Sequence, residues 1–208
     1  GTVGFYLLEH HNPATMGTLN AAGKFQAAFF QSVTTRTAGF ASVSQSGLTN
    51  GSKLLASMLM IIGGSPAGTA GGIKTTTVAV LLLTAISVLR GNKDTECYGR
   101  KITFEIIRVG ITITLVTFVF WLFGVTVMTV IEPQQKVLDL MFEATSAMAT
   151  VGLTADLTPV LSDISHVVLM LMMYIGRIGP MTMALIFSGH VDKKNQFRTL
   201  PEAKIMVG

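Results

Sequence analysis

The stretch Phe142-Glu143-Ala144-Thr145-Ser146-Ala147-Met148-Ala149-Thr150-Val151-Gly152-Leu153 decides the fold. It is a helix-length segment that runs directly into Thr-Val-Gly, and it occurs twice. The copy is Phe29-Phe30-Gln31-Ser32-Val33-Thr34-Thr35-Arg36-Thr37-Ala38-Gly39-Phe40. The offset is constant, since 142 − 29 and 152 − 39 both equal 113, and it places Phe on Phe, Thr on Thr and Gly on Gly. Internal repetition of this kind determines the architecture, so we expect two copies of one structural unit.

Each copy predicts a short helix followed by an extended turn, at about 24–35 and 138–149. A helix of about 12 residues is about 18 Å long and cannot cross a hydrocarbon core of about 30 Å. It would therefore end inside the membrane, with the negative end of its dipole directed at the Thr-x-Gly that follows. Consecutive carbonyl oxygens there could replace the water around a cation, as in the potassium-channel filter Thr-Val-Gly-Tyr-Gly. The predicted filters are 37–40 and 150–153, and the predicted ligands are the backbone carbonyls of Thr37, Ala38, Gly39, Thr150, Val151 and Gly152.

The composition is that of a membrane protein. Half of the residues are hydrophobic, 12% are charged and the mean hydropathy is +0.58, which argues against a soluble domain. The net charge of +4 comes from two basic clusters. These are Arg90 to Arg108, and Lys193 to Lys204 in the tail. By the positive-inside rule both clusters are cytoplasmic and the filters open outward. Because the basic residues are split between loops of an apolar chain, nucleic-acid binding is not expected.

The segment after the first filter is interrupted at its centre. Residues 51–90 exceed the roughly 20 needed for one span, and residues 63–72, which we call the glycine-rich loop, hold five glycines and Pro66. We therefore expect two half-helices joined by irregular backbone, which at membrane depth is tolerated only inside protein or along a water-filled cavity. The loop is predicted to gate the pore below the filter. The gating residues expected here are Gly63, Gly64, Gly68, Gly71, Gly72 and Lys74.

The same glycines suggest a second hypothesis, a phosphate-binding loop. The Walker pattern needs glycine immediately before lysine. Here Ile73 separates Gly72 from Lys74, and a long helical pattern rather than a strand precedes the loop. Nucleotide binding is therefore the weaker interpretation.

The second copy continues with a predicted membrane span at 101–131, of which Val109 to Ile131 is uncharged. An inner helix at 162–188 follows, interrupted by Gly176-Arg177-Ile178-Gly179-Pro180. A charge in mid-span costs several kcal/mol unless it faces a cavity or a partner. One interpretation is that Arg177 faces the pore, where it sets an electrostatic barrier or holds the glycine-rich loop shut. The other is that it is a structural residue that bonds free carbonyl groups at the helix break. Both interpretations stay open.

These residues resemble the Trk/Ktr/HKT superfamily of potassium transporters, and most of all the membrane subunit of bacterial Ktr systems. The resemblance rests on Thr35-Arg36-Thr37-Ala38-Gly39-Phe40, on the glycine-rich run 63–76 and on Thr150-Val151-Gly152-Leu153. Family members carry four helix, pore-loop, helix repeats. The resemblance implies an all-α membrane protein with a pseudo-fourfold pore. The third repeat would then occupy residues 1–100, with its first helix truncated, and the fourth 101–190, followed by a cytosolic tail at 191–208. It also implies that Arg36 supports the filter.

The same resemblance implies a function and partners. The function would be potassium uptake across the cell membrane, by a homodimer in the lipid bilayer seated on a cytosolic ring of nucleotide-binding regulatory subunits. Potassium is the transported ion, and neither an organic cofactor nor enzymatic activity is expected. Sodium or non-selective monovalent cation transport is the alternative. Sodium transport is known in the family where a filter glycine is replaced by serine, and both visible filters keep glycine. A true potassium channel would need an unbroken inner helix and a longer filter.

Overall fold

The computed structural model describes residues 1–65, 70–92 and 94–179 of the chain. Within these ranges the protein is mostly helical, with one short hairpin. The elements are α1 (Thr2–Glu9), α2 (Ala21–Thr34), α3 (Asn50–Ile61), α4 (Thr75–Leu89), β1 (Glu96–Cys97), β2 (Arg100–Lys101), α5 (Phe104–Ile131), α6 (Val137–Met148) and α7 (Asp163–Ile178). A single 3-10 turn, Thr158–Val160, precedes α7.

Helix α6 lies at the centre of the described structure. It packs against α5 and α7 of its own repeat and against α3 of the preceding repeat. Every residue from 142 to 149 is buried, so this part of the helix has no exposed face. Helix α2, its counterpart at the 113-residue offset, packs mainly on α1 and leaves Phe25, Phe29 and Val33 about half exposed.

Helix α5 is the one described helix that is long and apolar enough to cross a membrane. Its 28 residues correspond to about 42 Å at 1.5 Å per residue. The hydroxyl groups of its threonines donate to carbonyl oxygens one turn earlier, as Thr114 does to Gly110 and Thr117 to Ile113. These hydroxyl groups therefore have partners within the helix and need no water.

The N-termini of the two inner helices, α3 and α7, are capped in the same way. Thr49 accepts a hydrogen bond from the Ser52 N–H at the start of α3, and Ser162 accepts one from the Ser165 N–H at the start of α7. Both pairs obey the 113-residue offset. The repeat is thus visible in the capping residues as well as in the Thr-x-Gly segments.

Several predicted boundaries differ from the observed ones. The span predicted from residue 101 begins at Phe104, because Arg100 and Lys101 pair with β1 in a hairpin whose turn residues Tyr98 and Gly99 have positive φ. The helix predicted at 24–35 is α2, which begins three residues earlier at Ala21, directly after its Asn20 cap. The helix predicted at 138–149 is α6, displaced by one residue.

The two predicted inner helices appear as follows. Residues 51–90 hold α3 and α4, which are joined by residues 62–74. Of the helix predicted at 162–188, the structure describes α7, which ends at Gly179 with a φ of +84°. Residues 180–208, including the rest of that prediction and the tail at 191–208, lie outside the described residues, as do residues 66–69 and 93.

Candidate functional site

The two Thr-x-Gly segments, Thr37–Gly39 and Thr150–Gly152, share an unusual backbone. In the first, φ is +66° at Thr37 and +76° at Gly39, and in the second it is +52° at Thr150 and +91° at Gly152. Glycine adopts such angles freely, but a β-branched residue does not. A threonine in the left-handed backbone region costs free energy. Such a conformation persists where the surrounding structure imposes it, often at functional sites. Their recurrence 113 residues apart marks both segments as candidate sites.

The two segments lie against each other in space. A Cβ atom added at Gly39 would overlap the carbonyl oxygen of Val151 and would lie 3.6 Å from the Cα of Gly152. A Cβ added at Gly152 would find the Cα of Gly39 as its nearest neighbour, at 4.0 Å. The two glycines therefore permit both the backbone angle and the close approach, and a side chain at Gly39 would push the segments apart.

Each segment is anchored to the C-terminal end of its short helix. The N–H groups of Ala38 and Gly39 lie 3.2 and 3.3 Å from the Thr34 carbonyl oxygen of α2. In the second copy Thr150 donates to Ala147 (3.0 Å) and Val151 to Ser146 (2.9 Å) of α6. These bonds use the amide groups of the segments, so the segment carbonyls remain available as acceptors.

A buried carboxylate supports the second segment from behind. Glu143, which is 4% exposed on α6, accepts hydrogen bonds from the hydroxyl of Thr154 (2.5 Å), the N–H of Ala155 (2.9 Å) and the hydroxyl of Thr158 (3.0 Å). In this way the chain that leaves Gly152 is fixed to the short helix that precedes it. Sequence reasoning assigned Glu143 no such role, although a carboxylate within an apolar helix was the available signal.

The first copy uses a pair of amides for the same purpose. Gln31 of α2 donates to the Gln45 side chain at 2.6 Å and accepts from it at 3.1 Å, and both residues are buried. Gln45 also donates to the carbonyl of Val43. The chain after Gly39 is thereby tied to its short helix by neutral groups rather than by a carboxylate. The two segments thus have different electrostatic support.

The glycine-rich loop is closed at its base and contacts the second segment. Gly63 donates to the Ile73 carbonyl and Ile73 to that of Ile61, each at 2.9 Å. Further along, the Gly71 N–H donates to the Thr150 hydroxyl at 3.1 Å. A Cβ at Gly71 would stand 2.8 Å from the Ala149 carbonyl oxygen, so only glycine fits at this contact.

The remaining predicted gating residues of this region have distinct places. Gly64 accepts from the N–H of Thr75 at 3.3 Å, Gly72 has a φ of +73°, and Lys74 is the exposed residue at the N-cap of α4. Gly68 lies outside the described residues.

Arg36 holds the base of the glycine-rich loop. Its Nη1 donates to the carbonyl oxygens of Ile62 (2.9 Å) and Gly63 (3.2 Å). The side chain therefore connects the residue just before the first segment with the end of α3. This contact couples that segment to the loop, as the Gly71 contact couples the loop to the second segment.

Arg177 lines a cavity of about 550 Å³ that also reaches Thr150, Gly152 and Glu143. The close packing of α7 on α6 positions it there, because a Cβ at the preceding Gly176 would overlap the Met148 carbonyl oxygen. The guanidinium and the second segment thus border one space.

Ionic and polar contacts on the other side of α6 were not predicted. Lys53 of α3 and Asp139 of α6 form an ion pair at 2.6 Å, with side chains 8% and 19% exposed. Glu9, buried at the end of α1, accepts from both the N–H and the hydroxyl of Thr49. It is therefore a structural residue that ties the end of α1 to the N-cap of α3.

The second copy repeats the glutamate contact. Glu132, just after α5, accepts from the N–H of Ser162 and the hydroxyl of Ser165, both at 2.8 Å. These hydrogen bonds lower the pKa of Glu132. Helices α3 and α7 are thus joined at their N-termini to the ends of α1 and α5, respectively.

The donors at the site are suited to a hard monovalent cation. Across residues 1–65, 70–92 and 94–179 there is no group of three or more His, Cys, Asp or Glu side chains placed to hold a metal ion. The Thr37 hydroxyl is buried and has no hydrogen-bond partner within that part of the chain. Carbonyl and hydroxyl oxygens are the ligands of potassium filters rather than of transition-metal centres.

Comparison with known proteins agrees with this chemistry. The profile of the TrkH family, described as cation transport protein, matches residues 2–198. The chain is 37% identical over 203 residues to the Ktr system potassium uptake protein B of Bacillus subtilis, covering 98% of this chain and 45% of that protein. It is 39% identical over 188 residues to the protein of the same name in Vibrio alginolyticus, covering 90% and 41%.

A third relative is the potassium/sodium uptake protein NtpJ of Enterococcus hirae, with 34% identity over 206 residues, 98% of this chain and 46% of that protein. The chain therefore spans a little less than half the length of these relatives. All three are transporters by name and none is an enzyme. The resemblance noted in the sequence is confirmed.

Proposed function

Because this chain belongs to the TrkH family of cation transport proteins, we propose that it forms part of a potassium uptake pathway across the cell membrane. The observation that carries the proposal is the contact between the two Thr-x-Gly segments, Gly39 lying against Val151 and Gly152. Two segments far apart in sequence meet with their strained backbone matched residue for residue. Such a meeting point is what a shared ion path requires.

The ion would be held by the carbonyl oxygens of both segments, from Thr37, Ala38 and Gly39 and from Thr150, Val151 and Gly152. Support comes from the anchoring bonds, which use the amide groups and leave the carbonyls available. The buried hydroxyl of Thr37, which has no hydrogen-bond partner among the described residues, would offer one further oxygen. In a water-excluded site such oxygens would compensate a potassium ion for its lost hydration.

The glycine-rich loop would gate this path. It is tied to the first segment through Arg36 and to the second through the Gly71 to Thr150 hydrogen bond. With both contacts made, the loop would lie beside the filter and obstruct the path. Their release would let it move aside. Gly63, Gly64, Gly68 and Gly72 would supply the freedom for that movement, with Lys74 at its far end.

Arg177 would act on the ions electrostatically. It borders the same cavity as Thr150 and Gly152, so its charge would repel cations leaving the filter inward. Neutralising it should raise ion flux if this role is correct. If Arg177 only braces the helix end, neutralisation should mainly impair folding.

Potassium is favoured over sodium because both segments keep glycine. Each of these glycines has a backbone angle at which a serine would be strained. Sodium transport remains the second candidate, because one relative is named as a potassium/sodium uptake protein.

The whole transporter would contain further repeats around the pore, as the longer relatives allow. It would cross the bilayer several times, with its filters outward and its tail in the cytoplasm. It would work as a homodimer on a cytosolic nucleotide-binding ring, in line with relatives named as parts of a Ktr system.

The test is rubidium uptake by the full-length protein in cells lacking their own potassium uptake. Gly39→Ser and Gly152→Ser should each lower uptake and reduce the preference for potassium over sodium. Gly99→Ser is the matched control, because Gly99 has a φ of +73° but nothing within 4 Å of an added Cβ. This control introduces similar backbone strain at a position outside the two Thr-x-Gly segments. Unchanged uptake and selectivity in both filter variants would contradict the proposal.

A further inference from the structure

A second cavity, separate from the ion site, opens on the side of the structure. Its volume is about 490 Å³, within the range of ligand sites, and it lies between α4, α5 and α6. Leu115 and Phe118, 60% and 54% exposed, stand at its mouth, whereas Thr145, Met148 and Ala149 are almost fully buried at its floor. The cavity therefore extends from the outer surface of α5 to the end of α6.

The polar groups that border this cavity are already satisfied. The hydroxyls of Thr114 and Thr117 donate to carbonyls of their own helix. The indole N–H of Trp121 donates to the Thr145 hydroxyl at 2.8 Å, and Thr145 donates to Met141. The lining is thus almost wholly apolar, and an apolar cavity without free polar partners does not hold ordered water.

The position of the mouth identifies the occupant. Leu115 and Phe118 lie near the middle of α5, the described helix that is long enough to cross a bilayer. An exposed side chain at the middle of a crossing helix lies at the depth of the hydrocarbon core, away from water and lipid headgroups. We propose that this cavity is a binding site for a hydrocarbon chain, supplied by the acyl chain of a membrane phospholipid that enters between Leu115 and Phe118.

Such a chain would also contact the base of the glycine-rich loop. Ile61, Gly72 and Ile73 line the cavity, and Ile61 and Ile73 carry the hydrogen bond that closes that base. A chain in the cavity would hold this base in place, and an empty cavity would let it relax. This coupling of lipid to transport rests on the proposed function, whereas binding of the chain does not.

The binding test uses the full-length protein in liposomes containing a phospholipid with a diazirine in mid-chain. Photolysis should label Met148, which is 3% exposed and lines the cavity, as well as Phe123, which is 68% exposed on the outer surface. Labelling of Phe123 without Met148 would overturn the proposal. A protein-to-protein cross-link between a residue that lines the cavity and a residue outside the lining would also overturn it, because such a cross-link would show that a protein segment fills the cavity.

Leu115→Trp should fill the mouth and abolish the Met148 adduct while leaving the Phe123 adduct. Leu122→Trp is the matched control, since Leu122 is 49% exposed on the same helix and does not line the cavity. If Leu115→Trp fails to fold, Ile111→Trp, also at the lining, takes its place. An undiminished Met148 adduct in a folded plugging variant would count against the proposal. Rubidium uptake that changes with Leu115→Trp but not with Leu122→Trp would support the coupling. Equal rubidium uptake in the two variants would refute the coupling to transport, whereas the proposal that the cavity binds a hydrocarbon chain would stand.

Discussion

Replacing Thr150 by valine removes one hydroxyl and with it the hydrogen bond from the Gly71 N–H, which is 3.1 Å long. Valine keeps the branched shape, so the left-handed backbone at this position is strained to a similar degree. A neutral hydrogen bond contributes about 0.5–1.5 kcal/mol, and leaving a buried donor unpaired costs about 1–3 kcal/mol. Because Gly71 is buried, we expect the loop contact to weaken by about 1–3 kcal/mol, or about 5–150-fold in its equilibrium.

The assay is hydrogen exchange at the Gly71 amide in the full-length protein, read together with rubidium uptake. Thr150→Val should speed exchange within that range and raise the open population of the loop. Thr150→Ser keeps a hydroxyl and should behave closer to the native protein. Thr37→Val removes the equivalent hydroxyl, which has no partner in the described part of the chain, and should leave Gly71 exchange unchanged. Equal exchange in Thr150→Val and Thr37→Val would refute the reasoning.

Three further predictions concern the supports of the site. Lys53→Met leaves the partly buried Asp139 without its partner and should cost about 3 kcal/mol of unfolding free energy in detergent, which the charge-swapped double variant should partly restore. An unchanged unfolding free energy in Lys53→Met would disprove this. Glu132→Gln should lower stability at neutral pH. The carboxylate's folded pKa is depressed, so its contribution is present above the ordinary value of about 4.3 and is lost as pH falls through the lower folded value. A difference in stability between native and variant that does not shrink as pH falls below the ordinary value would contradict it. Gly176→Ala drives a Cβ into a backbone carbonyl of α6, whereas Gly124→Ala meets only a flexible methionine side chain, so the first should be the more damaging in thermal unfolding.

The repeat allowed the two Thr-x-Gly segments and the short helices before them to be located from sequence, whereas their role as an ion site stays a prediction. A constant offset of 113 residues located both Thr-x-Gly segments and both short helices, because side chains that serve the same backbone geometry recur in register. The glycine-rich interruption was visible because glycine and proline disfavour a continuous helix. The resemblance built on these residues is the part that the comparisons confirm.

The supports of the site were not predictable in the same way. Glu143 finds its partners 11–15 residues later in irregular chain, and Lys53 finds Asp139 at a distance of 86 residues, so neither pair follows a helix or strand period. The left-handed angles were foreseeable at Gly39 but not at Thr37, since threonine rarely adopts them. These features depend on tertiary packing, which fixes residues that local preference leaves undetermined.

The most direct test of the account is to locate the ion itself. Crystals of the full-length protein grown with rubidium or thallium should show anomalous density between the two Thr-x-Gly segments, within bonding distance of carbonyl oxygens of residues 37–39 and 150–152. A transport-competent protein whose only bound ions lie elsewhere, with no density between these segments, would contradict the claim that they form the ion path.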